Sequence, residues 1–189
     1  MNTPEFRVSF PHLLQASLNK LSNKEEYSVL ALFPKGADLS ALKVAAEKAV
    51  IAKWGEDKLK WPANLRSPFR DQAEKAKNDN TGNMVLPAGH VEGAIFMNLK
   101  SKQKPHVVDK NVEDIIDASE IYAGCWGRAS VNAYAYSHAG NNGVSFGLNN
   151  FQKTKEGEPL GGRTRAEHDF KAIESSDENN DGSANSIFA

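Results

Sequence analysis

A single cysteine, Cys125, serves all 189 residues. An internal disulfide is therefore excluded, and so is a cysteine-rich zinc site. Set between Gly124 and Trp126 in a strand-like run, Cys125 reads as a small buried filler rather than a nucleophile. A reducing, cytoplasmic setting fits. Long apolar runs are also missing: no stretch approaches the ~18 consecutive residues of a membrane helix, and mean hydropathy is −0.54. Met1 to Phe10 carries Glu5 and Arg7 among its apolar residues and has no signal-peptide hydrophobic region. The five histidines (His12, His90, His106, His138 and His168) are dispersed, without metal-ligand spacing. Gly161-Gly162-Arg163 lacks the lysine and serine of a phosphate loop, and Gly140 to Gly147 does not open a helix as a dinucleotide fingerprint does. No metal and no cofactor is expected.

Net charge is almost absent as well, at −1. Spread evenly, that balance would argue against a polyanionic partner, but it is not spread evenly. From Glu167 to the last residue six acids (Glu167, Asp169, Glu174, Asp177, Glu178 and Asp181) face one base, Lys171, a charge of −5. The preceding 166 residues hold 22 bases and 18 acids, a charge of +4. The acidic segment is rich in Ser, Asn and Gly and poor in apolar residues, a composition that does not order itself. We therefore expect one basic domain over 1–166 and an acidic flexible tail over 167–189.

Within the domain, Glu5 to Phe10 alternates and reads as a short strand closed by Pro11, followed by a loop from His12 to Glu26. Tyr27 to Phe33 is a second strand. Leu39, Leu42, Ala45, Ala46, Ala49 and Val50 recur at helical spacing up to Trp54, with Asp38 or Ser40 as cap and Gly55 as stop. Residues 56–90, with Pro62, Pro68 and Pro87, form an irregular insertion; Arg66, Arg70, Lys75 and Lys77 make it either a second basic flap or a solvated loop. Val91 to Lys100 resumes a strand, and a short run follows at His106 to Asp109.

Ile121 to Gln152 is the most telling stretch. Odd positions from Ile121 to Ala135 are small and apolar, whereas even positions carry Tyr122, Trp126, Arg128, Ser130, Asn132, Tyr134 and Tyr136. This is a long period-2 strand with one packed face and one face that mixes rings with polar groups. Asn141-Asn142-Gly143 supplies a tight hairpin turn, and the return strand holds Phe146, placed across the hairpin, and Gly147 at a bulge or close approach. Several uneven strands and one helix predict a mainly β fold, a curled β-barrel with a helical cap. Rings beside Arg128, with Lys100, Lys102 and Lys104 on a neighbouring turn, are what a single-strand binder needs: platforms for bases and cations for phosphates. A charge interleaved with the rings argues against a dry face.

Two other classes are open. Asp114, Asp117 and Glu120 would be the carboxylates of a Mg²⁺-dependent nuclease, although their spacing suits a solvated turn better. A structural β-barrel protein without a DNA role is the third reading.

The blocks Glu120-Ile-Tyr-Ala-Gly-Cys-Trp-Gly-Arg-Ala-Ser-Val-Asn-Ala-Tyr-Ala-Tyr136, Gly143 to Lys153, Gly157-Glu-Pro-Leu-Gly-Gly-Arg163 and Arg165-Ala-Glu-His-Asp-Phe170 resemble a family of tailed-phage single-stranded-DNA-binding proteins. The resemblance is dense from Pro105 to Phe170 and looser over the N-terminal strand, Tyr27 to Pro34, the helix and Pro68-Phe-Arg-Asp71. It implies an OB-fold-like five-stranded barrel, non-enzymatic and sequence-tolerant binding, and service in phage replication or recombination in the cytoplasm of an infected host. On that reading Trp126, Tyr134, Tyr136 and Phe146 stack bases. Arg128, Lys100, Lys102, Lys104, Arg70, Lys153 and Lys155 pair with phosphates, and Gly124, Gly127 and Gly147 let strands curl against the DNA. The helix, lying after the second strand, departs from the usual order. The acidic arm, through Asp177, Glu178, Asp181 and Phe188, either competes with DNA for the basic groove or recruits phage or host replication proteins. It ends Phe188-Ala189, one residue past the aromatic.

Deleting residues 167–189 is expected to tighten single-strand binding and to steepen its salt dependence, since more phosphates then displace counterions. Oligo-dT titrations of the full and shortened chains over a salt series check this; unchanged affinity refutes it.

Overall fold

Alternation along Val29-Leu30-Ala31-Leu32-Phe33 sends side chains to both faces of a strand, and here both faces are buried. The computed structural model describes residues 1–19 and 23–161, and in it the two faces serve different clusters. Val29, Ala31 and Phe33 enter the main core, whereas Leu30 and Leu32 join Phe96 in a second, outer cluster against Leu160.

The long strands are β1 (Phe6–Asn19), β2 (Lys24–Leu32), β6 (Ile95–Ser101), β8 (Trp126–His138) and β9 (Asn141–Lys155). Short strands β3 (Arg70–Asp71), β4 (Lys77–Asn78), β5 (Met84–Val85) and β7 (His106–Val108) and one helix, α1 (Ser40–Trp54), complete the set. Hydrogen bonding runs β6-β2-β1-β8-β9, and a parallel pairing of β6 with β9 closes these five into a ring. The expected OB-fold-like arrangement of five curled strands with one helix is thus present. As read from the sequence, α1 follows the second strand. It turns Leu42, Ala46 and Val50 into the core beside β8 and β9. The Asp38 carboxylate accepts from the Ser40 N–H at its start (2.9 Å), and Gly55 ends it with φ 85°.

Four sequence expectations need correction. Pro11 does not close β1: the ladder with β2 runs Ser9↔Leu30, then resumes at His12↔Ser28, so Phe10 and Pro11 form a bulge and the strand continues to Asn19. A proline forfeits one ladder bond, and at a bulge that bond is already absent. The hairpin turn lies at Ala139-Gly140 (φ 48° and 77°), with His138 opposite Asn141, so Asn141 to Gly143 already belong to β9. Both turn residues have the positive φ that a two-residue loop requires. The strand predicted from Ile121 begins only at Trp126, because Gly124 takes φ 119° and the Glu158 carbonyl occupies the place of a side chain there. Gly124 and Gly127 therefore admit protein rather than DNA: a Cβ on Gly127 would lie 2.3 Å from the Phe151 ring.

The 56–90 segment is better ordered than its sequence suggests. It holds β3, which pairs with β6, and the β4–β5 hairpin, with 3-10 turns at Lys58–Lys60 and Gln72–Lys75. The Arg66 N–H donates to Asn142 O, and the Val144 N–H donates to Arg66 O, tying the segment to β9. The wholly buried Gln72 side chain donates to the Phe33 and Ile95 carbonyls and accepts from the Val91 N–H. All its polar capacity within reach is used, which offsets the cost of burying an amide.

Phe6, at 0% exposure, meets Phe33 and Phe151 with ring centroids 5.6 and 6.1 Å away. Phe6→Ala is expected to cost about 3–5 kcal/mol through lost burial and an unfilled cavity, read from urea unfolding; a loss under about 1 kcal/mol contradicts this packing.

Candidate nucleic-acid interface

Parity along β8 places Ala129 and Val131 inward and Arg128, Asn132 and Tyr134 outward, as the sequence pattern required. The outer face of this hairpin is polar and aromatic. Arg128 Nε donates to Gln152 Oε1 at 2.8 Å, Asn132 lies over Gly147, and Tyr134 is 44% exposed. Tyr136 is half-buried, its hydroxyl resting where a Gly143 side chain would stand.

Two predicted contacts are on the wrong side. Phe146 pairs with Ala133, an inward position, and is 0% exposed, with its ring against Phe69 at 6.0 Å. No base can reach it. Lys153 pairs with Gly127, again an inward position, and is only 7% exposed. Its ammonium is held by Glu156 and lies 5.8 Å from the Tyr122 ring centroid, so it is not offered to a phosphate. Sequence alternation gives two faces but does not say which side of the return strand meets which side of the first; the register does.

The remaining predicted residues are brought together only in part. Trp126 and Lys155 stand at one end of β8 and β9, with the ammonium 4.7 Å from the indole centroid. The Trp126 ring edge occupies the space a Gly157 side chain would need, and Lys155 pairs with Glu5 at 2.6 Å. Tyr134 and Tyr136 lie eight and ten residues along the strand from Trp126, roughly 30 Å at the usual rise. Lys102 and Lys104 are exposed on the β6–β7 loop, and Lys104 lines a separate, more apolar depression with Leu14 and Ile116.

Lys100, Arg70 and Tyr136, by contrast, share one groove. A depression of ≈ 540 Å³ is walled by Arg66, Phe69 and Arg70 on one side and Tyr136 and Ser145 on the other, with Asn98 in its floor. Asn98 also lines a second depression, bounded by Phe10, His12, Lys75 and Lys100. The two therefore run on from one another over the outer face of β6. Arg70 and Lys75 are both seated on the Phe96 ring, at 5.1 and 4.9 Å from its centroid. Arg70 pairs with Glu74, and Lys100 pairs with Glu26 at 3.2 Å. Among the described residues Arg66 and Lys75 have no ion pair, which leaves the groove a cationic excess. Burial, together with the nearby Arg70 and Lys77 charges, holds the Lys75 ammonium below the ordinary lysine value. An anion there would be favoured.

Phe10 is a residue that the sequence pattern does not mark, since alternation from Phe6 and Val8 assigns it to the core. Pro11 was the available signal: a proline inside a β pattern marks a bulge, and a bulge re-aims side chains.

Of the three carboxylates of the nuclease reading, the Asp117 side chain is engaged in a local cap. Asp117 caps the 3-10 turn Ala118–Glu120, accepting from the Ser119 N–H at 2.8 Å, and Asp114 sits in a bridge with Val108. Among the described residues no three His, Cys, Asp or Glu side chains are grouped to hold a metal, and no helix is long and apolar enough to cross a membrane. Asp177, Glu178, Asp181 and Phe188 lie outside the described residues.

A five-stranded OB-like ring bordered by a cationic groove with rings on its walls is an arrangement that small single-strand-binding modules use. The family model described as the Enterobacter phage Enc34 ssDNA-binding protein matches residues 1–181, and the chain belongs to that family. No curated protein matches it in sequence. Among solved structures it is similar to the single-stranded DNA-binding protein from bacteriophage Enc34 in complex with ssDNA, with TM-score 0.64 and 20% identity over 85% of this chain and 88% of that one. It is also similar to gp2.5, a single-stranded DNA-binding protein encoded by bacteriophage T7, with TM-score 0.53 and 13% identity over 87% and 96%. The family expected from the sequence is the family found.

Two carboxyls beside these cations carry a pH signature. Hydrogen bonds from Lys155 and Thr154 hold Glu5 below the usual carboxylate range. Burial would raise Glu26, but hydrogen bonds from Asn19 and Lys100 outweigh it and also leave its value lowered. Because both folded values are depressed, their stabilisation is present at neutral pH and fades as pH falls through them, below the unfolded value of about 4.3. Glu5→Gln with Glu26→Gln is expected to flatten the acid limb of the thermal midpoint against pH; an unchanged slope contradicts the two pairings.

Proposed function

We propose that the protein binds single-stranded DNA with little sequence preference and without cleaving it, and that it serves phage DNA replication or recombination in the infected cell. The observation that carries this reading is the groove running from Phe10 and Lys100 across Asn98 to Arg66, Arg70 and Tyr136. Its cations line both depressions, Arg66 and Arg70 in one and Lys75 and Lys100 in the other, with Arg70 and Lys75 meeting on the Phe96 ring, which suits a polyphosphate chain. A strand leaving the groove at Tyr136 would run along the outer face of β8 past Tyr134 and Arg128, toward Trp126 and Lys155. Lys102 and Lys104 add long-range attraction from a neighbouring loop. Membership of a family of phage single-strand binders, and likeness to a structure solved with ssDNA, support the same reading. The acidic segment 167–189 is the internal competitor for this groove.

Fluorescence anisotropy with labelled oligo-dT, oligo-dC and oligo-dA tests it. The full chain should bind all three at low salt within a few-fold of one another. Arg66→Ala and Lys75→Ala should each weaken the three alike and lower the salt slope by about 0.7, the share of one single-strand phosphate contact. Full-length label that shortens in Mg²⁺ would overturn the non-enzymatic part, and absence of binding at low salt would overturn the whole.

A further inference from the structure

We propose that Phe10 is a base-stacking platform that pins one nucleotide at the β1–β2 end of the groove, with the neighbouring phosphates on Lys75 and Lys100. The proposal rests on the single-strand reading above and names a contact within it.

Phe10 is anomalous as a structural residue. Its φ of 45° lies in the left-handed region, which a bulky side chain rarely adopts. Its neighbours are anchored: Val8, Ser9 and Leu13 are buried, and the ladder is fixed on either side at Ser9↔Leu30 and His12↔Ser28. The bulge therefore imposes the conformation, and glycine or asparagine would satisfy it without strain. The ring gains little in return, for Phe10 is 64% exposed. A large apolar ring, strained in its backbone and open to solvent, is what neither packing nor local conformation calls for. Its position supplies the reason: it borders the depression that Lys75, Lys100 and His12 also line. Lys75 has no ion pair among the described residues and is crowded by Arg70 and Lys77, so a phosphate beside it would relieve that crowding. Ring and cations lie around one opening, the pairing that a nucleotide's base and phosphates require.

The test compares oligo-dT with an abasic strand of equal length, which keeps the phosphates and removes the bases. Phe10→Gly should keep or raise the thermal midpoint, because backbone strain is relieved. It should lose roughly 5- to 150-fold in affinity for oligo-dT and bind the abasic strand as the unaltered chain does. Phe10→Trp should retain oligo-dT affinity, and its 5-fluorotryptophan ¹⁹F resonance should shift with oligo-dT but not with the abasic strand. Phe10→Gly that binds oligo-dT like the unaltered chain overturns the proposal, as does equal weakening toward both strands or an unmoved ¹⁹F resonance. An unaltered chain that ignores oligo-dT overturns the single-strand reading itself, and the Phe10 assignment with it.

Discussion

The ring closes on a short parallel seam in which Leu99 lies opposite Phe146 and Lys100 opposite Gly147. One edge of β9 is taken by β8; the other is shared, β6 holding residues 146 and 147 and β7 holding 150 to 152. Without that seam the sheet would have two open edges and a solvated core. The seam also fixes the sense of everything near it. Leu99 and Phe146 must face inward to be covered by Phe69 and α1's side of the core, so Lys100, one residue on, must face outward into the groove. Gly147 leaves room for the Asn132 side chain outside the seam. A hydrophobic requirement inside thus places a cation outside.

The groove's electrostatics follow from a second packing constraint. The outer cluster of Leu30, Leu32 and Phe96 would be an exposed apolar patch if left bare. The 56–90 segment covers it, held by Gln72 to the backbones of Phe33, Ile95 and Val91. Pairing of Arg70 with Phe96 and the turn at Gln72–Lys75 then set two cations on the Phe96 ring. Covering the patch and charging the groove are one arrangement. Because Glu74 and Glu26 each neutralise one cation, the excess rests on Arg66 and Lys75 among the described residues.

Much of this was legible in the residues. Period-2 alternation over β8 gave its inner and outer faces correctly, because every inward residue there is small and apolar. Leu42, Ala46 and Val50 announced α1 and its buried side, and the long blocks around Trp126 and Gly143 announced the family. Phe146 and Lys153 face inward for different reasons: a two-residue turn at Ala139-Gly140 sets Phe146 opposite the inward Ala133, and the register shift between Val131 and Ser130 changes the inward positions of β9 from even to odd, which carries Lys153 inside opposite Gly127. Phe10 was missed because one bulge reverses the sense of an otherwise regular alternation.

The sequence by itself determined the composition of the elements, the apolar and polar faces of the long hairpin, the split of charge between a basic domain and an acidic segment, and the family. These depend on neighbours in the chain, and periodicity and composition report such neighbours directly. Only the tertiary structure decided which rings are open and which cations meet. Trp126 and Tyr136 share a strand face yet stand at its two ends, while Lys100, Arg70 and Phe10, far apart in the chain, border one groove. That outcome depends on ring closure, on a bulge at Pro11 and on the docking of 56–90, contacts between distant residues that no local pattern encodes.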